Sequence, residues 1–195
     1  MNKDYLQPDF YRFNEDSIKL VHWILNTGPK VQSLVDLGAG SGVIGIELAR
    51  VLKPKDFILV ELQNEFKSYL EHNCQEFLPS EVIYNIVIKS FKEFTPQKKY
   101  DLVVCNPPYY LPGQGEKAKD PNRAIARSFL TDSWRTLIEK ISQLLTIEGK
   151  GYLVLKPDEK LFQLVQLEVK LTGLKMIKHQ LDSVIILELF RLDKN

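Results

Sequence analysis

Cysteine is scarce in this sequence, and the positions of the cysteines exclude the usual structural uses of thiols. The 195 residues contain two, Cys74 and Cys105, whose separation matches neither a zinc site nor a CxxC redox motif. Both lie in stretches typical of the interior of a helix or strand. We therefore expect two buried free thiols, no metal site and no disulfide framework, which fits a protein of the reducing cytoplasm.

Long apolar runs and an excess of one charge are also missing. No apolar stretch reaches the roughly 18 residues that a membrane-spanning helix requires, and residues 1–9 contain no apolar core of a signal peptide. Lys and Arg total 26 and Asp and Glu total 25, so the formal net charge is +1. This balance excludes a protein that coats a polyanion by bulk charge, but it allows a local basic patch. We expect a cytoplasmic protein without a membrane partner.

What the sequence does contain is a regular alternation of strand-like and helix-like segments. It predicts an α/β fold in which helices cover both faces of a mostly parallel sheet, and the last two apolar runs predict an antiparallel hairpin at one edge. The length fits a single domain, with a helical extension over 1–30 and a core over 31–195. The predicted strands cover 33–37, 57–61, 82–88, 101–105, 151–155, 174–180 and 184–192, and the predicted helices cover 14–26, 43–52, 64–77, 134–145 and 161–171.

A glycine-rich turn joins the first predicted strand to the helix that follows. The segment Asp36–Gly42 has the sequence DLGAGSG, in which the glycines allow a tight turn and a close approach of the backbone to a ligand. Two registers fit it. The pattern GxGxG from Gly38 is typical of methyltransferases that use S-adenosylmethionine (SAM), whereas GxGxxG from Gly40 is formally a dinucleotide fingerprint. Glu61, at the end of the second strand, suits the ribose hydroxyls of either cofactor, so the turn leaves both interpretations open.

The tetrapeptide Asn-Pro-Pro-Tyr at 106–109 follows the predicted strand 101–105, and therefore lies at the same edge of the sheet. A planar amino nitrogen is a poor nucleophile because its lone pair is delocalised, but two acceptors at its N–H groups hold it and favour a pyramidal form. The Asn106 side-chain oxygen and the Pro107 carbonyl can supply both acceptors, and Tyr109 offers an aromatic face for a planar base or amide. The pattern predicts in-line methyl transfer from SAM to an exocyclic amino nitrogen, without a metal or a covalent intermediate.

Because of these motifs, the chain from about residue 33 to 192 resembles class I SAM-dependent methyltransferases of the Asn-Pro-Pro-Tyr group. More narrowly, it resembles the bacterial tRNA (adenine-N6) methyltransferases that modify the adenine next to the anticodon of valine tRNA. The resemblance implies a Rossmann-like fold with a seven-stranded sheet, SAM as the cofactor, and adenine N6 in tRNA as the leading acceptor. The stretches that carry it are Asp16–Trp23, Asp36–Gly42 with Glu61, and Asn106–Tyr110 continuing through Gly113 to Arg123–Arg127.

The resemblance also assigns the site residues. The family has an acid after its third strand that holds the SAM adenine amino group, but Ser90 takes that place here, so stacking on Phe91 is expected to contribute more. The carboxyl-terminal part is shorter than in typical valine-tRNA enzymes. The implied SAM contacts are Asp36, Gly38, Gly40, Glu61, Ser90 and Phe91, the implied amino-group contacts are Asn106, Pro107 and Tyr109, and the aromatic residues Phe10, Tyr11 and Phe13 are candidates to cover the cofactor.

Basic residues that follow the tetrapeptide are candidates for RNA binding. This loop and its exit carry four basic residues against two acidic ones, and such residues can position RNA through its phosphates without reading its sequence. The candidates are Lys117, Lys119, Arg123 and Arg127.

Besides a small-molecule amino acceptor, two alternatives stay open at this point. A protein-glutamine N5 methyltransferase shares the tetrapeptide, but such enzymes usually carry an N-terminal helical substrate domain, and about 30 residues precede the core here. A SAM-binding partner subunit without catalysis is the other, and the intact tetrapeptide argues against it. The sequence does not predict the oligomeric state.

Overall fold

The computed structural model describes residues 4–108, 121–127 and 132–192. Seven strands and six α-helices alternate through this part of the chain, and a 3₁₀ turn over Asn64–Phe66 leads into the third helix. The strands are β1 (Ser33–Leu37), β2 (Asp56–Glu61), β3 (Tyr84–Ile88), β4 (Tyr100–Cys105), β5 (Leu145–Leu155), β6 (Lys175–Gln180) and β7 (Ile185–Phe190). The helices are α1 (Glu15–Thr27), α2 (Val43–Leu52), α3 (Lys67–Phe77), α4 (Pro121–Arg127), α5 (Trp134–Leu144) and α6 (Glu159–Leu171).

The strands form one sheet in the order β3-β2-β1-β4-β5-β7-β6. Pairing is parallel from β3 to β5, whereas β7 runs antiparallel to both β5 and β6. The predicted α/β fold, with a mostly parallel sheet and an antiparallel hairpin at its carboxyl-terminal edge, is confirmed. The chain moves outward from β1 to β3 and then returns to place β4 on the other side of β1. Such a reversal opens a crevice at the carboxyl ends of β1 and β4, where ligands bind in open α/β sheets.

Helices cover both faces of the sheet, and β4 shows how the two resulting cores are built. Leu102 and Val104 pack with α1, α2 and α3, while Val103 and Cys105 pack with α5 and α6. All four side chains are at most 1% exposed. Because successive strand residues point to opposite faces, a strand buried on both faces reads as one continuous apolar run.

The fifth strand begins six residues earlier than the sequence predicts. It starts at Leu145, directly after α5, so Gly149 lies inside the strand and does not terminate a helix. The register against β4 shifts between Tyr100 and Leu102, as at a β-bulge. A Cβ at Gly149 would lie 2.7 Å from the carbonyl oxygen of Tyr100, so glycine allows the two backbones to approach at this irregularity.

No helix among the described residues is long and apolar enough to cross a lipid bilayer.

Candidate active site

An open cavity lies at the carboxyl edge of the sheet. The glycine turn after β1 forms one wall with Gly38 and Gly40, and Glu61 contributes from the end of β2. Asn106 contributes from the end of β4, and Phe91 follows β3. The structure therefore brings together the two motifs that the sequence places after separate strands. A smaller adjoining cavity shares Gly38, Gly40 and Asn106 with the first.

Glu61 is held by the backbone around it. Its Oε2 accepts the Gly40 N–H at 2.8 Å and its Oε1 accepts the Gln63 N–H at 2.9 Å. The side chain is 6% exposed; burial raises the pKa of this carboxyl, while the backbone hydrogen bonds act in the opposite direction. Gly40 has a φ of 55°, a conformation that glycine adopts without strain. The glycine turn and the carboxylate thus fix each other at the cavity wall.

Asp36 takes a different position from the cofactor contact that the resemblance implies. Its side chain is 1% exposed, and neither cavity at this edge is lined by it. Oδ2 accepts the Gly45 N–H at 2.8 Å, while Oδ1 has no hydrogen-bond partner among the described residues. A Cβ at Gly45 would lie 2.8 Å from this carboxylate and 2.7 Å from the ring of Phe57, so this glycine is required by packing. Asp36 anchors the start of α2 behind the glycine turn.

Burial raises the pKa of Asp36 to about 7, which makes protein stability depend on pH. The ordinary value is 3.8, so between about pH 4 and 7 the folded protein keeps a proton that the unfolded chain loses. The stability that this proton contributes is complete below pH 4 and is lost as the pH rises to 7. We expect the unfolding free energy of Asp36→Asn, relative to that of the unsubstituted protein, to rise across this range.

Urea unfolding at pH 5, 6, 7 and 8 measures this difference. The steepest part should approach, but not exceed, about 1.4 kcal/mol per pH unit for one proton. Asp182→Asn, at an exposed position, is the matched control and should follow the unsubstituted protein at every pH. A constant offset between Asp36→Asn and the unsubstituted protein would contradict the prediction.

Asn106 lies directly after β4 and lines both cavities. Its Nδ2 donates to the Oγ of Ser17 in α1 at 2.9 Å. Pro107 is buried beside it, and Pro108 lines the larger cavity. Tyr109, the last residue of the tetrapeptide, lies outside the described residues.

Ser90 and Phe91 have separate environments. The Ser90 N–H donates to Glu93 Oε2 at 3.3 Å and the Ser90 hydroxyl accepts the Glu93 N–H at 3.2 Å, which is the reciprocal arrangement of a capping box. The hydroxyl also donates to the same Oε2 at 2.8 Å. Ser90 is not part of the cavity lining, whereas the ring of Phe91 lies against the glycine turn, 3.5 Å from a Cβ built at Gly38. Ser90 therefore stabilises the turn that presents Phe91.

Asp132 is a cavity residue that the sequence interpretation did not identify. It precedes α5 and lines the cavity, and its two oxygens accept the N–H groups of Phe91 at 3.1 Å and Lys92 at 3.3 Å. No short spacing in the sequence indicates this role, since 41 residues separate Asp132 from Phe91. A carboxylate thus binds the backbone of Phe91 and lines the same cavity as its ring.

The amino-terminal segment and α4 complete the enclosure. Tyr11 lines the larger cavity and its ring packs edge-on against Phe66 at 6.0 Å, while Phe13 lines the smaller one. Phe10 also packs against Phe66, at 5.4 Å. From α4, Ile125 and Ala126 line the larger cavity. The Gln63 side chain donates to the backbone oxygen of Asn122 at 3.1 Å, which ties α4 to the end of β2.

The predicted RNA-binding residues are described only in part. Arg123 is exposed on α4. Lys117 and Lys119 lie outside the described residues, as does the side chain of Arg127. Among the described residues, no cluster of His, Cys, Asp and Glu has the arrangement of a metal site.

Comparison with known proteins defines the class. The model of the methyltransferase small domain family matches residues 16–181, and the chain belongs to this family. The class predicted from the glycine turn and the tetrapeptide, a SAM-dependent methyltransferase, is confirmed. A solved glycopeptide N-methyltransferase in complex with S-adenosyl-L-methionine has a similar fold, with a TM-score of 0.64 and 14% identity, covering 91% of this chain and 94% of the other.

The relatives found by sequence similarity carry a more specific name than the family does. A tRNA1(Val) (adenine(37)-N6)-methyltransferase from Shewanella frigidimarina is 31% identical over 177 residues, which cover 88% of this chain and 68% of the relative. A Vibrio cholerae protein of the same name is 26% identical over 144 residues, which cover 74% of this chain. The match spans 58% of the Vibrio protein, so the chain corresponds to about three fifths of that relative's length.

Proposed function

We propose that this chain transfers a methyl group from SAM to the exocyclic N6 of an adenine in tRNA. The observation that carries the proposal is that Glu61, the glycine turn and Asn106 line one cavity. A cofactor bound at the first two therefore lies next to an amide that can hold an amino group. Relatives named as tRNA1(Val) (adenine(37)-N6)-methyltransferases support adenine in tRNA as the acceptor.

The residues at the cofactor end fit SAM. An ionised carboxylate only accepts hydrogen bonds, and each oxygen of Glu61 uses one position for a backbone N–H. The remaining positions suit the two hydroxyls of a ribose. Phe91 offers an aromatic wall for the adenine, and Asp132 on that wall offers a carboxylate for the adenine amino group. The Ser90 hydroxyl is already bonded to Glu93 in the capping box. We therefore assign to Asp132, and not to Ser90, the role of accepting a hydrogen bond from the adenine amino group.

The acceptor end consists of Asn106 and the backbone of the tetrapeptide. SAM, when bound, supplies the electrophilic methyl group, and the protein supplies orientation. The Asn106 carbonyl oxygen accepts one N–H of the substrate amino group, and the Pro107 carbonyl accepts the other. Holding both N–H groups fixes the nitrogen and favours the pyramidal form that attacks. Proximity and alignment of this kind supply much of the rate enhancement in two-substrate transfers.

Charge near the cavity favours a nucleic-acid substrate. Arg123 is exposed on α4, and Lys89 and Lys92 are exposed on either side of Ser90 and Phe91 in the chain. All three are close in sequence to residues that line the cavity, and cations of this kind can bind phosphates without specifying sequence. A base in a tRNA loop can be extruded at low cost, because no duplex has to be broken.

Incubation of the chain with labelled SAM and total tRNA, followed by nucleoside mass spectrometry, tests the proposal. We expect label in N6-methyladenosine, and labelling that is slower by about 10²–10³-fold when Asn106→Ala protein is used at the same concentration. Label that appears only in protein from an added lysate would instead support the glutamine N5 alternative. A protein that binds SAM but labels neither would overturn the catalytic assignment.

A further inference from the structure

A buried asparagine behind the cavity joins the glycine turn to the amino-terminal segment, residues 4–13. Asn73 lies in α3 and is fully buried. Its Oδ1 accepts the Leu6 N–H at 2.9 Å. Its Nδ2 donates to the carbonyl oxygen of Leu6 at 2.9 Å and to that of Ser41 at 2.8 Å. Leu6 belongs to the segment and Ser41 to the glycine turn, so one side chain binds both.

These three bonds fix the orientation of the Asn73 amide. Both N–H groups of the amide donate to backbone carbonyls, and the amide oxygen accepts a backbone N–H. If the amide rotated by half a turn, its NH₂ group would face the Leu6 N–H and its oxygen would face two carbonyl oxygens. Water does not reach this site to satisfy the displaced groups, so only one orientation is favourable.

Hydrogen bonds within the segment connect Leu6 to the cavity. Gln7, the next residue, accepts the Phe13 N–H through its Oε1 at 2.9 Å. The Tyr11 N–H donates to the Pro8 carbonyl oxygen at 3.2 Å. The segment is thus folded back on itself, and a shift at Leu6 is passed on to Tyr11 and Phe13. Tyr11 lines the larger cavity, and Phe13 lines the smaller one.

A second attachment of the segment reaches the helices and not the turn. The Tyr5 hydroxyl donates to Glu47 Oε1 in α2 at 2.7 Å, and the Tyr5 ring packs against Phe77 in α3 at 4.6 Å. This attachment holds the start of the segment on the protein surface. Asn73, by contrast, binds the glycine turn itself, and therefore sets the distance between the segment and the turn.

We propose that Asn73 is a positioning residue that holds the amino-terminal segment against the SAM end of the cavity. The inference rests on the proposed function, since it takes SAM to bind beside the glycine turn. Without the Asn73 amide, the backbone groups of Leu6 and Ser41 lose their partners, and they regain hydrogen bonds only from water. The segment moves outward to admit that water, and the ring of Tyr11 moves with it, away from the cofactor.

Calorimetry of SAM binding to the full chain tests the proposal. We expect Asn73→Ala to raise the dissociation constant by about 10-fold, the scale of one or two lost hydrogen bonds. Asn73→Asp keeps the shape and the acceptor for Leu6 but loses both donors, so it should weaken binding in the same direction even if the alanine variant does not fold. Val165→Ala is the matched control. Val165 is fully buried in α6 on the other face of the sheet, and this variant should lose stability but keep its SAM affinity within about twofold.

A double-variant cycle separates positioning from a general loss of stability. If Asn73 acts by placing Tyr11, Asn73→Ala should cost little further affinity in a chain that already carries Tyr11→Ala, because coupled sites are not additive. Independent effects would instead multiply, and a combined loss equal to the product of the two single losses would overturn the proposal. Unchanged SAM affinity in both Asn73 variants would also overturn it.

Hydrogen exchange of the ligand-free chain, followed by mass spectrometry, provides a measurement without SAM. Peptides that cover residues 4–13 should exchange faster in Asn73→Ala and at the original rate in Val165→Ala. Unchanged exchange in Asn73→Ala would contradict the proposal. A chain that binds SAM with this dependence on Asn73 but transfers no methyl group to tRNA would overturn the proposed function and leave the role of Asn73 intact.

Discussion

Replacement of Asn106 by alanine is expected to lower the rate of methyl transfer by about 10²–10³-fold, the cost of removing one positioned hydrogen-bonding group from an active site. The affinity for SAM should change by less than about threefold. The physical reason is the proposed division of the cavity, in which Glu61 and the glycine turn bind SAM and Asn106, at the end of β4, binds the acceptor amino group. Single-turnover rates with saturating SAM, together with calorimetry of SAM binding, separate the two effects.

Two further variants sharpen this result. Asn106→Asp keeps an acceptor oxygen but loses the NH₂ group that donates to Ser17, so we expect activity between that of the unsubstituted protein and Asn106→Ala. Asn85→Ala, on the exposed side of β3, is the matched control and should be fully active. Activity retained in Asn106→Ala would show that the amino group is held by other residues, and the proposed mechanism would be wrong.

Replacement of Glu61 by alanine is expected to weaken SAM binding by about 10- to 100-fold, which corresponds to roughly 1–3 kcal/mol for hydrogen bonds to a charged group. Glu61→Gln should be nearly as damaging. Both carboxylate oxygens already accept a backbone N–H, from Gly40 and from Gln63. An amide has one acceptor oxygen, so its NH₂ group would face one of these donors. We therefore expect the glutamine variant to lose affinity and some thermal stability together.

Isothermal titration calorimetry with SAM measures this effect, and Glu65→Gln is the matched control. Glu65 is exposed in the 3₁₀ turn four residues later, and its substitution should leave the affinity unchanged. NADH also carries an adenosyl ribose, and we expect that it does not compete for the site. Competition by NADH, or SAM affinity within twofold in Glu61→Ala, would contradict the assignment of this carboxylate.

The sequence predicts those parts of the site that depend on residues adjacent in the chain. A buried strand followed by a glycine turn or by Asn-Pro-Pro places residues at the carboxyl edge of a parallel sheet, and Gly40, Glu61 and Asn106 lie there together. Position at that edge does not imply contact with the cavity, however. Asp36 is only two residues from Gly38, which lines the cavity, yet its carboxylate accepts the N–H of Gly45 instead.

Other features depend on information that spacing does not carry. Asp132 reaches the Phe91 wall from 41 residues away, and nothing in its neighbourhood distinguishes it from an ordinary residue before a helix. Ser90 is a different case, because Ser90 and Glu93 have the S-x-x-E spacing of a capping box, which the sequence does show. The early start of β5 escapes prediction because Leu145 suits the apolar face of α5 as well as a buried strand.

The burial of β4 on both faces has a consequence for redesign of this protein. A shift of one residue in its register would turn Leu102 and Val104 toward the opposite core, and it would also move Asn106 by about 3.3 Å and reverse its direction. The hydrophobic pattern that stabilises the strand therefore also sets the position of Asn106 relative to the glycine turn across the cavity. Substitutions along β4 that are chosen to raise thermal stability should be screened for turnover first. The same side chains that stabilise this strand also position Asn106, so a change in their packing can alter both properties.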